Sequence, residues 1–514
     1  VESVSNAGNA SRTVSRAGGR RRGQVAIGVL VVVGLAVGYA YAVPPAAGVP
    51  VTAAAATSTQ VSAATVVCPI VTGAGLAGMA AFGPVVPGAP SGSAQVSQIG
   101  TRTPLATIKT AGGYASAPNL SGAVTNLADD SLPLVGQAMG GLAPGFTVDG
   151  TLQSGSSGTD EYGLASTACV QPGTDFWFIG AGADPNPIAQ LNLVDTDSLT
   201  AQVNISEYNS TGEMSGSAQT VDQGLVVKSG SQTNPPGELI DPSAPASAIA
   251  LNVTATTGRV TTALLAGDSK GDGRDFIAAE QPATRLVIPG VPAPSAGATR
   301  SLQLTLMATT ADADVTLKWI GDATLTPAVT VPHLSAGHVT TVDISNIPSA
   351  TESGSLEIDS TAGSPIIGTI KVTETVSGAT DTAYLTPVTA LTGDSVVAEN
   401  QTGSSVVLTN ESGQAAKVKI TTTAQAAAPA APASQSQTVT VPADASMTAP
   451  LTAPAGATQF AVTVTPLNGA SQIYAARVMT GSGPLITIQS MATALESVQI
   501  PPVRPDLSGT VPQN

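Results

Sequence analysis

Aromatic residues make up only 3% of this 514-residue chain and charged residues only 10%, and it holds just two cysteines and two histidines. With so few rings, hydrophobic cores must be filled by Val, Leu, Ile and Ala. That is feasible for thin modules of about 100 residues, at the cost of a small margin of stability. What the chain does have in quantity is 54 Gly and 38 Pro. This balance suits short strands joined by turns, so the expected class is all-β, and the length allows three to five domains.

The N-terminus carries Arg12, Arg16, Arg20, Arg21 and Arg22 with no Lys, followed by an uncharged apolar run from Val25 to Val43. At about 1.5 Å per helical residue this run reaches roughly 28 Å, close to the hydrocarbon thickness of a bilayer. The arginines hold its first end in the cytoplasm. The expectation is a single-pass transmembrane helix over 25–43, with the bulk of the chain extracytoplasmic. Ala40-Tyr41-Ala42 also fits a small-x-small cleavage site, so a removed signal peptide is the competing reading. Both readings export the chain.

The part beyond residue 24 holds 14 basic and 33 acidic residues. Such an acidic surface argues against nucleic acid and against anionic lipid as partners, since both repel it. Cys68 and Cys169 both fall in the exported part, where a disulfide persists. Closing a loop of about 100 residues in this way contributes up to about 4.7 kcal/mol by restricting the unfolded chain. Two separate buried thiols are the alternative.

From Gln190 to about Gly483 the same strand pattern is written three times, every 105 to 110 residues or so. The openings are Leu191-Asn-Leu193, Leu302-Gln-Leu304-Thr-Leu306 and Val406-Val-Leu408-Thr-Asn410. A second alternating run follows around Val203, Val315 and Val418. A third landmark is Leu225-Val-Val227, Val331-Pro332 and Val441-Pro442. A fourth holds Ile249-Leu251-Val253, Leu356-Ile358 and Phe460-Val462-Val464. In Leu302 to Leu306 and in Val315-Leu317-Trp319 the apolar residues fall at every second position, which predicts strands with one buried and one wet face, Trp319 in the core. About seven short strands per copy predict tandem β-sandwich modules of immunoglobulin-like type.

The resulting organisation is an Arg-rich tail (1–24), the membrane helix (25–43), an Ala/Pro/Thr stalk (44–66) and a β-rich region of undefined fold (67–170). Three sandwich modules (171–284, 285–394 and 395–498) and a flexible tail (499–514) complete it. Ala424 to Gln437, AQAAAPAAPASQSQ, reads as a flexible surface insertion in the third module.

Beyond Cys169 the chain reads Val-Gln-Pro172-Gly173-Thr-Asp175-Phe176-Trp177-Phe178-Ile-Gly180-Ala-Gly182, an aromatic block unusual in this composition. Arg285-Leu-Val-Ile-Pro289-Gly290 stands at the next module boundary and Pro365-Ile366 at a late turn. With the single membrane segment, these features resemble an actinobacterial family of membrane-anchored extracytoplasmic proteins of unknown function. The resemblance implies location and build and carries no chemistry with it.

Candidate reactive groups are few. Gly267-Asp268-Ser269-Lys270-Gly271 matches the nucleophile-elbow pattern, but an elbow needs a strand running into a helix, and here one extended run leads into another, as in a hairpin loop. Asp268, Asp272 and Asp275 offer oxygen ligands for calcium. However, Lys270 stands where the helix-loop-helix pattern wants Asp or Asn and no Glu closes the loop, so a solvated acidic turn is the expectation. His333 and His338 lie five residues apart with no cysteine nearby, short of the three or four ligands zinc takes. Phe176-Trp177-Phe178 reads as module core, with an exposed sugar-stacking platform as the alternative.

No catalytic, cofactor or metal residue is therefore assigned, and the site residues expected are the pair Cys68 and Cys169. The functional expectation is a non-enzymatic envelope protein held by one membrane helix and contacting a cell-wall polymer or an envelope protein. The alternative is a carbohydrate-active enzyme or accessory subunit acting on envelope polysaccharide, which would need two carboxylates across one cleft.

Overall fold

The computed structural model describes residues 57–68, 76–84, 91–100, 104–109, 113–116, 133–154, 162–184, 186–214, 223–235, 248–321, 329–330, 333–347, 352–361, 363–424, 433–470 and 472–500. Their regular structure is strand throughout, and no helix among them is long and apolar enough to cross a membrane. The expected membrane helix at 25–43 and the Arg tail lie outside the described residues. Thr59–Val498 forms one compact unit, and 1–58 with 499–514 makes up a second.

Within Thr59–Val498 the chain builds four sandwiches rather than three. In the copy that is most regular in sequence, one sheet runs Arg285–Val291, Gly354–Ser360, Val315–Ile320, Val329–Thr330. These are the first, sixth, third and fourth strands of the copy. The facing sheet runs Thr340–Asp343, Thr299–Ala308, Ile366–Val376, Ala379–Leu385, which are the fifth, second, seventh and eighth. All pairs are antiparallel. The strands from Ser395–Gln401 to Ile486–Met491 repeat this order without change. Those from Asp175–Ala181 to Arg274–Ile277 repeat it with one added two-residue strand, Gly212–Glu213. The region of undefined fold repeats it too, ending at Gly163–Ala168, but its first strand, Ala63–Cys68, starts in the segment expected as stalk, where Thr57–Gln60 is strand as well. We number the sandwiches one to four along the chain, so that the three modules recognised in sequence are the second to fourth. Each encloses an aliphatic core between its two sheets, and that of the third runs on into Val407, Ala476 and Ile488 of the fourth.

Two expectations about the sandwiches need correction. In an immunoglobulin domain the first two strands share a sheet, whereas here the first strand pairs with the sixth and the second lies in the opposite sheet. The faces expected to be wet are also largely covered. Leu302, Leu304 and Leu306 are buried as predicted, yet Thr305 and Met307 on the other face of the same strand are buried too. The cause is the way the sandwiches pack on one another. The outer face of each 1-6-3-4 sheet meets the 5-2-7-8 sheet of the next sandwich. Ile179, Ala248 and Ala250 of the second pack on Met307, Val339 and Ile367 of the third. The fourth packs on the first through Ala398 and Ala461 against Ala80 and Phe82, and the first on the second through Val67 and Val135 against Val194.

These head-to-tail contacts close into a ring, not the projecting row that a tandem repeat suggests. The four eighth strands, Gly163–Ala168, Arg274–Ile277, Ala379–Leu385 and Ile486–Met491, lie at its centre, each touching the next and the last touching the first. Glycines at the bulge of two first strands allow the close approach. Gly180 (φ 110°) faces Thr369 of the third sandwich, and Gly290 (φ 100°) lies so near Ala476 of the fourth that an added Cβ would sit 2.4 Å from that residue's Cβ. Only glycine adopts such dihedrals without strain.

Cys68 and Cys169 form a disulfide with a Cα–Cα distance of 4.4 Å, tying the first strand of sandwich one to the end of its eighth. Of the insertion expected over 424–437, residues 425–432 lie outside the described residues, and the part that follows is regular strand on the surface rather than flexible loop. Ala433–Val441 is a strand paired with Ala416–Ala424, in register from Ala424↔Ala433 to Ala416↔Val441. Ser and Thr at alternate positions there supply the cross-strand hydroxyl contact Thr421–Ser436 at 2.9 Å.

Candidate functional site

Two features depart from plain sandwich packing: a buried polar centre on the ring axis and an open groove at one junction.

At the axis, the Asp381 carboxylate binds all four eighth strands. Its Oδ2 accepts the backbone N–H of Leu164 (3.1 Å) and of Ile486 (2.9 Å), and its Oδ1 that of its own neighbour Thr382 (2.9 Å). The Arg274 N–H is a further donor. Burial pushes this acid up to about 8, against the pull of those donors. Asp275 does a similar task, accepting from Ser166 N (2.9 Å), Phe276 N (2.8 Å) and Thr487 Oγ1 (2.9 Å), and burial raises it well above the carboxylate range. Asp149 accepts from Ala398 N and from Gln489 Nε2.

Arg477, fully buried, gives Nη2 to Gln489 Oε1 at 2.8 Å. Burial lowers its pKa, while Asp149, Asp275 and Glu399 pull it back up. Glu399 is raised to about 7 by burial, opposed by Arg477. Perturbed acids of this kind often mark catalysis. Here the carboxylates of Asp149, Asp275 and Asp381 are engaged by backbone amides and side chains of neighbouring sandwiches, which is an architectural use.

The four junctions are equivalent by the repeat but differ in what fills them. Between sandwiches two and three, Trp177 stacks on Tyr208 with ring centroids 5.9 Å apart, and Lys371 pairs with Asp184. Between three and four, Arg285 binds Glu357 (2.9 Å), Glu411 (2.5 Å) and the Tyr474 hydroxyl (3.1 Å), with Lys318 on Glu357 at 2.8 Å. Between four and one the filling is apolar, Phe82 against Ala398 and Ala461.

The junction of one and two is different. Beside the small Val67, Ile99, Val135 and Val194 contact lies a groove of about 690 Å³. Its floor is the outer face of the first sandwich, with Thr65, Gln137 and Ser97 on adjacent strands. One wall is Gln171, Pro172 and Thr196 with the exposed pair Arg259–Asp197 (2.8 Å), and the other is Leu495 and Val498. The lining is amide and hydroxyl rich, and its charges neutralise each other.

The residues singled out in sequence do not converge. Ser269 sits exposed in the hairpin between Thr261–Asp268 and Arg274–Ile277, with no strand-to-helix step. The solvated acidic turn needs correcting. Of its three acids only Asp272 is exposed, whereas Asp268 organises the loop through Asn186 N (3.1 Å) and Lys270 N (2.6 Å), and Asp275 points to the axis. His333 is exposed between Asp314 (2.8 Å) and Asp312 (3.3 Å), whose hydrogen bonds raise its pKa, while His338 bonds Ala336 O and abuts Gly212.

Phe176 and Phe178 enter the core of sandwich two and Trp319 that of sandwich three, while Trp177 faces the junction. Among the described residues no group of three or more His, Cys, Asp or Glu is placed to hold a metal ion. The groove residues give no signal of their own in sequence, because amides and hydroxyls carry no motif. One signal was present: Gln171-Pro172 recurs as Gln281-Pro282 at the next linker.

A family model described as a family of unknown function, DUF5719, matches residues 122–452. That is more than half of the chain, and the protein belongs to this family. The match runs from within the first sandwich into the fourth and contains the second and third whole. No match was found among curated proteins.

Proposed function

We propose that this family member is a non-enzymatic binding component of a bacterial, actinobacterial-type cell envelope. It is held by one N-terminal membrane helix at 25–43, with its N-terminus cytoplasmic and the sandwich ring extracytoplasmic. The apolar run behind five arginines and the Cys68–Cys169 disulfide support the location.

The observation that carries the binding role is the unfilled junction. Among the described residues, three of the four equivalent junctions are packed by aromatic, ionic or apolar side chains, and the junction of one and two holds a groove of about 690 Å³ lined by amides and hydroxyls. A concave site with a few convergent polar groups on a rigid scaffold is the usual build of a binding site. Binding is favoured over polysaccharide cleavage because, among the described residues, the lining carries one carboxylate, Asp197, already paired with Arg259, whereas glycoside hydrolysis draws on two.

The test is capture by the detergent-solubilised full chain from cell-wall fractions and membrane extracts. The reading expects a retained species that is lost when Gln137→Trp or Ser97→Trp fills the groove. Capture indifferent to both substitutions would count against it.

A further inference from the structure

We infer that the groove takes an extended peptide, which adds as a strand to the open edge of Ala63–Cys68; this rests on the binding role proposed for the same groove.

In that strand the residues alternate strictly. Ser62 O accepts Gly140 N, so the even-numbered residues face the neighbouring strand Leu134–Gly140, and Val61, Ala63, Thr65 and Val67 turn their backbone groups outward. The two ends of this edge are already used. Val67 exchanges both hydrogen bonds with Val170 (2.8 and 3.1 Å), and Val61 N donates to Glu496 O (2.9 Å). Between them, the N–H and C=O groups of Ala63 and Thr65 have no partner among the described residues, and both residues line the groove. A short stretch of unpaired strand edge at the floor of a cleft is what strand addition requires.

In sandwich two a side chain caps the corresponding edge at one carbonyl. In sandwich two the counterpart of the Val67–Val170 bridge is Trp177–Glu280, and beyond it Gln281 Nε2 donates to Asp175 O at 3.0 Å. Counting back by the same interval, Gln281 becomes Gln171 and Asp175 becomes Thr65. Gln171 is exposed in the groove wall with its amide unengaged among the described residues. The same two groups are therefore joined in one sandwich and held apart by the cleft in the other.

The chemistry of the site selects an uncharged peptide. Arg259 and Asp197 satisfy each other, the floor offers Gln137 and Ser97, and Leu495 and Val498, both 43% exposed, offer apolar contact to alternate side chains.

The probe is a displayed library of random octapeptides, selected on the full-length protein. Selected peptides are expected to slow amide exchange at Ala63 and Thr65. Thr65→Pro removes an outward N–H while sparing the ladder to Leu134–Gly140, and is expected to weaken binding by about tenfold or more. Gln171→Ala, which leaves the backbone untouched, is expected to weaken it less. Thermal melting checks that each variant folds, and if Thr65→Pro does not, the exchange pattern and Gln171→Ala decide.

Peptides that bind without protecting Ala63 and Thr65, or are indifferent to the folded variants, would overturn the proposal. An oligosaccharide array signal that is lost in Gln137→Trp but kept in Thr65→Pro would overturn the peptide while leaving the groove reading intact. If no peptide or glycan responds to any groove substitution, both readings fail.

Discussion

The carboxylate of Asp381, in the third sandwich, accepts the backbone N–H of Ile486, in the fourth, at 2.9 Å. The same oxygen takes the N–H of Leu164 in the first. One side chain thereby couples the edges of sheets that are more than 100 residues apart in sequence.

Asp381→Ala should be among the most damaging single substitutions in the chain. It strands buried N–H groups from several sandwiches, each of which costs about 1–3 kcal/mol when left without an acceptor. Asp381→Asn should fall between, because its NH₂ faces donors. Urea midpoints of the purified protein check the order.

Stability should fall as pH rises from about 5 to 8. Asp381 and Glu399 are raised by burial to about 8 and about 7 in the folded chain, whereas unfolded carboxylates ionise near pH 4. Between those limits the folded state binds more protons, so each step up in pH favours unfolding, until the folded pKa values are passed. Denaturant midpoints at pH 5, 7 and 9 should show the decline, and Glu399→Gln should flatten part of it.

Gly290→Ala should destabilise the protein by about 2–4 kcal/mol. The site combines φ of 100° with a neighbouring Cβ, that of Ala476, at 2.4 Å from the added methyl. By the same reasoning Gly363→Ala, with φ of 70° and open space around it, should cost only the conformational part, about 1 kcal/mol. Paired melting curves separate the two effects.

Reduction of Cys68–Cys169 should lower stability by up to about 4.7 kcal/mol for a loop of this size. The bridge spans 101 residues, all in the first sandwich. Limited proteolysis with and without reductant should therefore place the first new cuts between residues 63 and 170, ahead of any in the third sandwich.

The strands of the last three sandwiches were legible because Leu-x-Leu and Val-x-Val runs keep a period of two. The first sandwich hid its kinship. Its second strand reads Leu76-Ala-Gly-Met79-Ala-Ala-Phe82 and its sixth carries Gly136, where an added Cβ would meet Val148 and Phe146 at 2.7 and 3.0 Å. Small residues demanded by tight packing thus erased the alternation. The ring was not legible either, since a strand buried on both faces, such as Thr261–Asp268, reads only as a blend of apolar and hydroxyl residues. Asp275 looked like a turn acid because sequence cannot tell a carboxylate facing water from one facing three buried donors. Of the groove, only the Gln-Pro doublet left a trace.

A head-to-tail contact that closes after four copies also sets the copy number. Each sandwich offers one face and receives another, so a chain with three copies would leave two complementary faces unmatched. Its molecules would then join end to end into filaments, as heterologous contacts do when rotation fails to close. In that sense the first sandwich, the copy least like the others in sequence, completes the match of faces that would otherwise be open to a second molecule.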